Sequence, residues 1–259
     1  MVSPEEIRKY GTRMREILGL NGSPIGVRLL KTAEPVAGAE PARGHRFCQA
    51  LMRARHGDHV LVNASTISCP AAARAFGFRP LPEPLKTGKG LIGFGITAEE
   101  SVGKMMFEKM PVLGMGEIAQ IDVFPLDKAQ DVPDIVVVED EVEKLMWIVL
   151  AYMHAKGGER VNASTAVLQA TCVDSTVIPF LEQRLNFGFG CYGCRDATDI
   201  GHNETVVGFP ISFLPMIVEH LEHLNKKALP QSRGKHALSA LRKQLGRIQA
   251  GGTSCIAVE

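Results

Sequence analysis

The repeated pentapeptide Val-Asn-Ala-Ser-Thr is the feature that most constrains the fold of this chain. It occurs at residues 62–66 and again, unchanged, at residues 161–165. The pattern before each copy predicts a strand, a helix and a glycine-containing turn, and each copy is followed by a cysteine that opens a predicted helix, Cys69 or Cys172. Recurrence of a supersecondary unit indicates a diverged internal duplication. We therefore expect two related halves, at about residues 22–125 and about residues 126–225, related by a pseudo-twofold axis.

The order of the predicted elements indicates the fold class. Helical spacing and capping residues predict helices at about residues 3–19, 45–55, 71–76, 97–110 and 139–154. Strands are predicted at about residues 24–30, 60–62, 91–96, 118–124 and 134–138, and the proline-rich stretch at about 79–89 reads as a loop. This alternation predicts an α/β (or α+β) protein with mixed sheets and flanking helices. We expect residues 1–259 to form a single compact unit, with an N-terminal helix and a C-terminal helical tail.

Composition and charge exclude several classes of function. The chain is 45% hydrophobic and 22% charged, as globular proteins are. Its formal net charge of +1 gives no overall field that would attract nucleic acid or an anionic membrane. Neither a signal peptide nor an apolar run of membrane-spanning length is recognisable. We therefore expect a cytoplasmic protein with neither nucleic acid nor membrane as a partner.

The cysteines are the candidate functional residues. Six cysteines in a reducing compartment favour metal or redox chemistry over a disulfide framework. Cys191 and Cys194 lie three residues apart in a glycine-rich turn, so their sulfurs can bind one centre or each other. If the two halves face each other, Cys69 and Cys172 approach the same interface and complete a set of four thiolates. Soft thiolate ligands without histidine select an iron–sulfur cluster or Zn²⁺.

The choice of metal and of ligands stays partly open at this point. A zinc ribbon requires two Cys-x-x-Cys pairs, and this chain has one, which favours a [4Fe–4S] cluster over zinc. Cys48, on the helix before the first repeated strand, competes with Cys69 and Cys194 for the fourth ligand position. Arg195 follows the cysteine pair and is the candidate for holding an anionic substrate or tuning the cluster. A salt-bridged turn is its alternative role, and Cys255 is predicted to be an incidental thiol near the C-terminus.

Four cysteine segments resemble a known family. They are Cys48-Gln49, Cys69-Pro70-Ala71-Ala72, Cys172-Val173-Asp174 and Gly190-Cys191-Tyr192-Gly193-Cys194-Arg195. The chain resembles, over most of its length, the uncharacterised prokaryotic family catalogued as domain of unknown function 169, which is common in methanogens and other anaerobes. The resemblance implies a cytoplasmic, oxygen-sensitive protein with an iron–sulfur centre. The position of Cys194 is not always cysteine in that family, which favours Cys48 as a ligand.

These observations together predict an iron–sulfur protein of anaerobic metabolism. Its cluster would lie between the two halves and serve in electron transfer or in activating a small substrate. The expected partners are a redox protein or a small-molecule substrate, and a homo-oligomer is a further option. Two alternatives remain: a thiol–disulfide redox protein that uses Cys191 and Cys194 with Cys172 as the resolving thiol, and a zinc-stapled small-molecule binding module.

Overall fold

One mixed sheet organises the chain in this computed structural model, which describes residues 2–166 and 168–251. Its strands are β1 Ile25–Leu30, β2 Glu40–Pro41, β3 Val60–Asn63, β4 Gln120–Pro125, β5 Ile135–Glu141, β6 Asn186–Gly188 and β7 Glu204–Pro210. They form a seven-stranded sheet in the order β2-β3-β4-β1-β5-β7-β6. Strands β2 and β3 pair in parallel, and the other neighbours pair antiparallel. The predicted α/β class with a mixed sheet and flanking helices is confirmed.

Helices connect and cover the strands. The α-helices are α1 Pro4–Leu18, α2 Phe47–Arg55, α3 Pro70–Ala75, α4 Glu83–Lys86, α5 Lys89–Gly93, α6 Glu100–Glu108, α7 Val142–Ala155, α8 Ile178–Glu182, α9 Tyr192–Ala197, α10 Leu214–Asn225, α11 Ala228–Arg233 and α12 His236–Gly251. A π-helix spans Ala170–Val177, and short 3₁₀ turns span Leu126–Lys128 and Ile211–Phe213. Among the described residues, no helix is both long and apolar enough to cross a membrane.

The sheet has a hydrophobic core on each face. Strand β5 shows why: Ile135 and Val137 join one core, whereas Val136 and Val138 join the other, since successive strand side chains point to opposite faces. One core contains apolar residues of α2, α3, α6 and the π-helix, and the other contains those of α1, α7 and α10. The first core also includes cysteines, and we call this side of the sheet the cysteine face. The candidate site therefore lies on one defined side of the sheet.

The capping box predicted at the N-terminus is confirmed, whereas the helix predicted from about residue 97 begins at Glu100, with Glu99 as an N-cap that makes no side-chain capping hydrogen bond. Helix α1 begins at the predicted capping box, in which the Ser3 side chain accepts a hydrogen bond from the Glu6 backbone N–H and the Glu6 carboxylate accepts one from the Ser3 N–H.

The strand predicted at residues 91–96 is wrong, because Lys89–Gly93 forms helix α5. Gly88 has φ +85°, a left-handed conformation that turns the chain directly from α4 into α5.

The boundary between β5 and α7 also differs from the prediction. The helix begins at Val142 and not at Glu139, because β5 continues to Glu141. Pairing with β7 extends this strand as far as Glu141. Asp140 accepts a hydrogen bond from Lys144 at 2.8 Å, and the buried Glu139 lies 3.9 Å from the Arg55 guanidinium. The acidic run is therefore a paired end of a strand and only in part the first turn of a helix.

The two copies of the pentapeptide have different conformations. The first copy begins in β3 and turns at Asn63, whose side-chain oxygen accepts hydrogen bonds from the backbone N–H groups of Ser65 and Thr66. The second copy, residues 161–165, has no regular secondary structure. The internal duplication and the pseudo-twofold arrangement stay predictions. Cys255 lies outside the described residues.

Candidate functional site

The π-helix is the central element of the cysteine face. All eight of its residues are buried, and it packs closely on β7 at Gly208. A Cβ on Gly208 would overlap the carbonyl group of Ser175, so only glycine permits this approach. π-Helical segments are rare and are frequent at functional sites. This one contains Cys172, and it packs mainly on β6 and β7 at one end of the sheet.

Buried side-chain hydrogen bonds fix the π-helix to the second pentapeptide. The Asn186 side chain, on β6, donates to the carbonyl oxygens of Ser164 at 2.8 Å and Asp174 at 2.7 Å, and it accepts from the Ser164 N–H at 2.8 Å. Asn186 is fully buried. Because the Asn186 side chain binds both Ser164 and Asp174, these hydrogen bonds hold the irregular segment beside the π-helix.

Four parts of the fold bring five cysteines to one place. Cys48 lies in the first turn of α2, Cys69 is the N-cap residue of α3, and Cys172 lies in the π-helix. Cys191 is the N-cap residue of α9, and Cys194 lies three residues further on. The predicted position of Cys69 at a helix N-terminus is confirmed. All five are free thiols.

These thiols lie around a cavity of about 420 Å³. Cys48, Cys69, Cys172 and Cys191 line it, and the fully buried Cys194 lies directly behind Cys191. The rest of the wall is mainly apolar, from Phe47, Leu91, Phe94, Ile96, Phe107, Leu168 and Tyr192. The mouth carries two exposed aromatic rings, Phe94 and Tyr192, whose centroids are 6.3 Å apart. We call this space the cysteine cavity.

Cys191 and Cys194 cap α9 reciprocally. The Cys191 sulfur accepts a hydrogen bond from the Cys194 N–H at 3.2 Å, and the Cys194 sulfur accepts one from the Cys191 N–H at 3.4 Å. The two Sγ atoms are 2.8 Å apart. Backbone N–H groups directed at sulfur stabilise negative charge there, so this turn suits either thiolates bound to a metal or a disulfide.

Two side chains of α2 fix its position against α9. Arg46 donates a hydrogen bond to the Gly193 carbonyl oxygen at 2.9 Å and forms an ion pair with Asp196 at 3.3 Å. Gln49 donates to the Ala197 carbonyl oxygen at 3.1 Å. Arg46 also lines the cysteine cavity, where burial raises the pKa of the Cys69 thiol and the positive charge of Arg46 offsets only a small part of that rise. Sequence reasoning missed Arg46, although its position two residues before Cys48 was an available signal.

The Arg195 side chain binds backbone carbonyl groups. Its guanidinium donates to the carbonyl oxygens of Gly201 and Glu204, each at 3.0 Å, and to that of Phe189. These contacts close the loop between β6 and β7 around the cysteine pair. A role for Arg195 in holding an anion or tuning a cluster stays a prediction.

Without a bound metal, the surroundings of these cysteines favour neutral thiols over thiolates. Burial raises the pKa of Cys69 and raises that of Cys172 well above its usual value. The hydrogen bond with Cys194, followed by burial, raises the pKa of Cys191. For Cys194, the hydrogen bond with Cys191 lowers the pKa, but the hydrogen bond with Cys48 and burial outweigh it and raise the pKa to about 12.

The thiols share a cavity without forming a finished metal site. In the part of the chain that the structure describes, no three histidine, cysteine or acidic side chains are already spaced to hold one ion. Binding of a metal centre would therefore require side-chain rotations that turn the sulfurs toward a common point. The donor set itself, several thiols without histidine, suits an iron–sulfur cluster or zinc.

The fold and site define an α/β protein with a cysteine-lined cavity on one face of a mixed sheet. Residues 13–220 match the model of the family described as uncharacterised ArCR, domain of unknown function 169. The chain belongs to this family, as its cysteine segments predicted. It is 30% identical over 225 residues to an uncharacterised protein of the methanogen Methanocaldococcus jannaschii. The aligned region covers 85% of this chain and 96% of that protein. No solved structure matches the chain.

Proposed function

We propose that the cysteine cavity holds an iron–sulfur cluster, of the [4Fe–4S] type, that serves in electron transfer or in activating a small substrate. The observation that supports this most strongly is the convergence of thiols from four separate segments on one cavity. A buried cysteine is often only a small core residue, but packing alone gives no reason for five to meet. The proposed ligands are the four cysteines that line the cavity, Cys48, Cys69, Cys172 and Cys191. Cys194 is the alternative ligand.

The raised pKa values of the cavity cysteines support the binding of a positively charged metal centre. A thiolate in a buried, mostly apolar cavity is unfavourable unless positive charge compensates it, and a bound metal supplies that charge and displaces the thiol protons. Reactive nucleophilic cysteines have the opposite character, with a lowered pKa and partial exposure. The buried thiols here therefore suit ligation better than nucleophilic attack.

The surroundings of the cavity suit a redox centre. Its apolar wall limits water, and the hydrogen bonds of Arg46 and Gln49 hold α2 and α9 at a fixed separation. A cluster in this position would accept and release single electrons, and one with fewer than four protein thiolates would leave an iron open to substrate. The exposed Phe94 and Tyr192 at the mouth offer a contact surface to a redox protein or an entry for a small molecule.

One observation favours a second candidate, a thiol–disulfide couple. The Cys191 and Cys194 sulfurs are 2.8 Å apart, so a small movement would bring them to the disulfide bond length of about 2.05 Å. The couple would transfer two electrons and two protons to the disulfide of a partner, which would leave as two thiols. Zinc bound by the same cysteines is the remaining alternative.

Spectroscopy and metal analysis of anaerobically purified protein separate the three cases. A cluster gives broad visible absorption that bleaches with dithionite, and we expect Cys172→Ser to lose it while Cys255→Ser, the matched control, keeps it. Stoichiometric zinc without visible absorption would replace the cluster with a zinc site. Metal-free protein with a two-electron couple that Cys191→Ser abolishes would establish the thiol–disulfide function.

We also propose that the two pentapeptide segments derive from an internal duplication and that the protein acts in the cytoplasm of an anaerobe. The units β1–α2 and β5–α7 each precede one copy, which supports the first proposal. The cavity cysteines then divide between the halves, with Cys48 and Cys69 in the first and Cys172, Cys191 and Cys194 in the second. Alignment of the two halves across family members would test this: sequence similarity beyond the pentapeptide supports duplication.

A further inference from the structure

Three histidines lie together where α7 and α10 cover the side of the sheet opposite the cysteine face. His154 is in the last turn of α7, and His220 and His223 belong to α10. The rings of His154 and His220 stack with their centroids 3.7 Å apart, and the centroids of the His220 and His223 rings are 5.3 Å apart. We call these three residues the histidine cluster. With Met216 and Glu219 they line a surface groove of about 440 Å³.

The spacing in α10 places its groove-lining side chains on one face of the helix. Met216, Glu219, His220 and His223 occupy positions i, i+3, i+4 and i+7. The opposite face is apolar and buried, and it consists of Leu214, Ile217, Val218, Leu221 and Leu224. Burial of the apolar face therefore directs the histidine-bearing face outward.

Packing holds α7 and α10 together beside the histidine cluster. The ring of Tyr152, on α7, packs on that of Phe213, just before α10, with the centroids 4.8 Å apart. The apolar faces of both helices belong to one core. By contrast, the side chains of His154 and His223 are exposed, and that of His220 is half-buried. The helices thus keep the three positions close together while the outer rings have room to rotate.

The separations of the rings are close to those around one metal ion. Two imidazoles bound tetrahedrally to Zn²⁺, with nitrogens about 2.1 Å from the metal, have centroids roughly 5–5.5 Å apart. His220 and His223 already have this separation, whereas the stacked His154 and His220 are closer. The stacked arrangement does not direct three nitrogens of the described residues at one point. Binding therefore requires rotation of the exposed His154 and His223 side chains about their own bonds.

The groove presents donor atoms that no other group in the described structure engages. Within the described part of the chain, the ring nitrogens of the histidine cluster and the Glu219 carboxylate form neither a hydrogen bond nor an ion pair. By contrast, His56 and His59 each contact an aspartate at 2.6 Å. His154 and His223 also lie in the last turns of their helices, where the helix dipole favours a positive charge. The groove thus offers unused nitrogen and oxygen donors to a cation.

We propose that the histidine cluster binds a divalent transition-metal ion such as Zn²⁺, with the three imidazoles as ligands and the Glu219 carboxylate as the fourth donor. Imidazole and carboxylate are common zinc ligands, and four of them form a tetrahedral shell. Hard ions such as Mg²⁺ select oxygen donors, and Glu219 is the one carboxylate among the described residues that line the groove. The site uses other donors than the cysteine cavity and lies on the other side of the sheet, so it does not rest on the iron–sulfur proposal.

NMR of histidine labelled with ¹⁵N in its ring tests the proposal on the anaerobically purified full-length protein. One molar equivalent of Zn²⁺ should shift the ring-nitrogen signals of His154, His220 and His223. The signal of His202, an exposed histidine outside the groove, should stay unchanged. An excess of Mg²⁺ is the control and should shift none of them. Absence of the three shifts with Zn²⁺, or equal shifts with Mg²⁺, would overturn the proposal.

Single substitutions locate the site. Loss of a group outside the coordination shell already weakens metal binding by about 10–100-fold, so loss of a ligand in His220→Ala should weaken Zn²⁺ binding roughly a hundredfold. His223→Ala, at an exposed position, should have the same effect without a cost in the core. His202→Ala is the matched control and should keep the affinity of the unsubstituted protein. Unchanged affinity in both His220→Ala and His223→Ala would contradict the proposal.

The cysteine variants separate this site from the cysteine cavity. Zn²⁺ affinity is read from the histidine signals, so zinc bound by thiols does not contribute to it. We expect Cys172→Ser to keep the shifts of His154, His220 and His223. Loss of these shifts in Cys172→Ser would assign the zinc to the cysteine cavity and overturn the histidine site. The assay of iron and sulfide is a separate measurement, so failure of one proposal is distinguishable from failure of the other.

Discussion

Substitution of Gly208 by alanine tests whether the π-helix packs on the sheet as described. Gly208 lies in the middle of β7, where it pairs with Val137 and with Asn186. A Cβ at this position would lie 2.5 Å from the Ser175 carbonyl carbon and 2.8 Å from its Cα. Both neighbours are backbone atoms, so no side chain can rotate away. The π-helix or the strand must move instead.

The expected loss in the free energy of unfolding follows from the size of that movement. Ordinary contacts of a Cβ begin at 3.4 Å, and the Ser175 carbonyl oxygen would lie closer still than the carbonyl carbon, so the π-helix has to move by roughly 1.5 Å. Overpacking costs about 1–3 kcal/mol, and the upper end of about 3 kcal/mol applies here because the clash is with backbone atoms alone. Replacing glycine in a strand gains about 0.5–1 kcal/mol, which offsets part of the cost. We expect a net loss of about 2 kcal/mol, which corresponds to a decrease in Tm of about 4–8 °C for a chain of this size.

Thermal and urea denaturation of Gly208→Ala and Gly93→Ala measure this difference. Gly93 lies in α5, where a Cβ would meet no atom within 4 Å. Its replacement should leave stability unchanged or raise it by up to about 1 kcal/mol. Equal stability of the two variants would refute the close packing of the π-helix on β7.

Three further predictions concern the neighbourhood of the site. Arg46→Ala removes the hydrogen bond to the Gly193 carbonyl, so the amides of α9 should exchange with deuterium faster while those of α1 do not change. Asn186→Leu leaves the Asp174 and Ser164 carbonyl groups without their partner and should lower the free energy of unfolding by about 2–4 kcal/mol in urea titration, whereas a loss under 1 kcal/mol would contradict the network. Burial raises the pKa of Glu139 from 4.5 to about 7, so the folded state binds this proton more tightly and stability falls as the pH rises from 4.5 to 7. Glu139→Gln should remove up to about 3 kcal/mol of that loss, and parallel stability–pH curves for the two proteins would refute the shift.

The sequence predicted what local rules control. The capping box at Ser3 and the N-terminal position of Cys69 depend on neighbours within a few residues, and both are confirmed. The repeat and the spacing predicted that the cysteines converge at an interface between two halves, and the described structure brings them together around the cysteine cavity on one face of the sheet, with Cys194 just behind it. Distances between their sulfurs depend on side-chain rotations that no spacing specifies.

Other features depend on tertiary contacts that a local pattern does not contain. The segment at residues 170–177 is compatible in sequence with an α-helix. Its close packing on Gly208 and its hydrogen bond with Asn186, which no local pattern contains, accompany the wider π form. Residues 91–96 have a strand-like composition, yet the positive φ of Gly88 starts a helix. Glu139 lies within a strand because β5 pairs with β7 as far as Glu141, and its side chain faces Arg55, which is distant in sequence.

Quantification of iron and acid-labile sulfide per chain in anaerobically purified protein tests the central claim most directly. The proposed cluster predicts about four iron and four sulfide per chain, in line with a [4Fe–4S] centre. The Cys172→Ser variant should lose most of both, while Cys255→Ser retains them. Protein that carries neither iron nor sulfide when prepared without oxygen would contradict the assignment of the cysteine cavity to an iron–sulfur cluster.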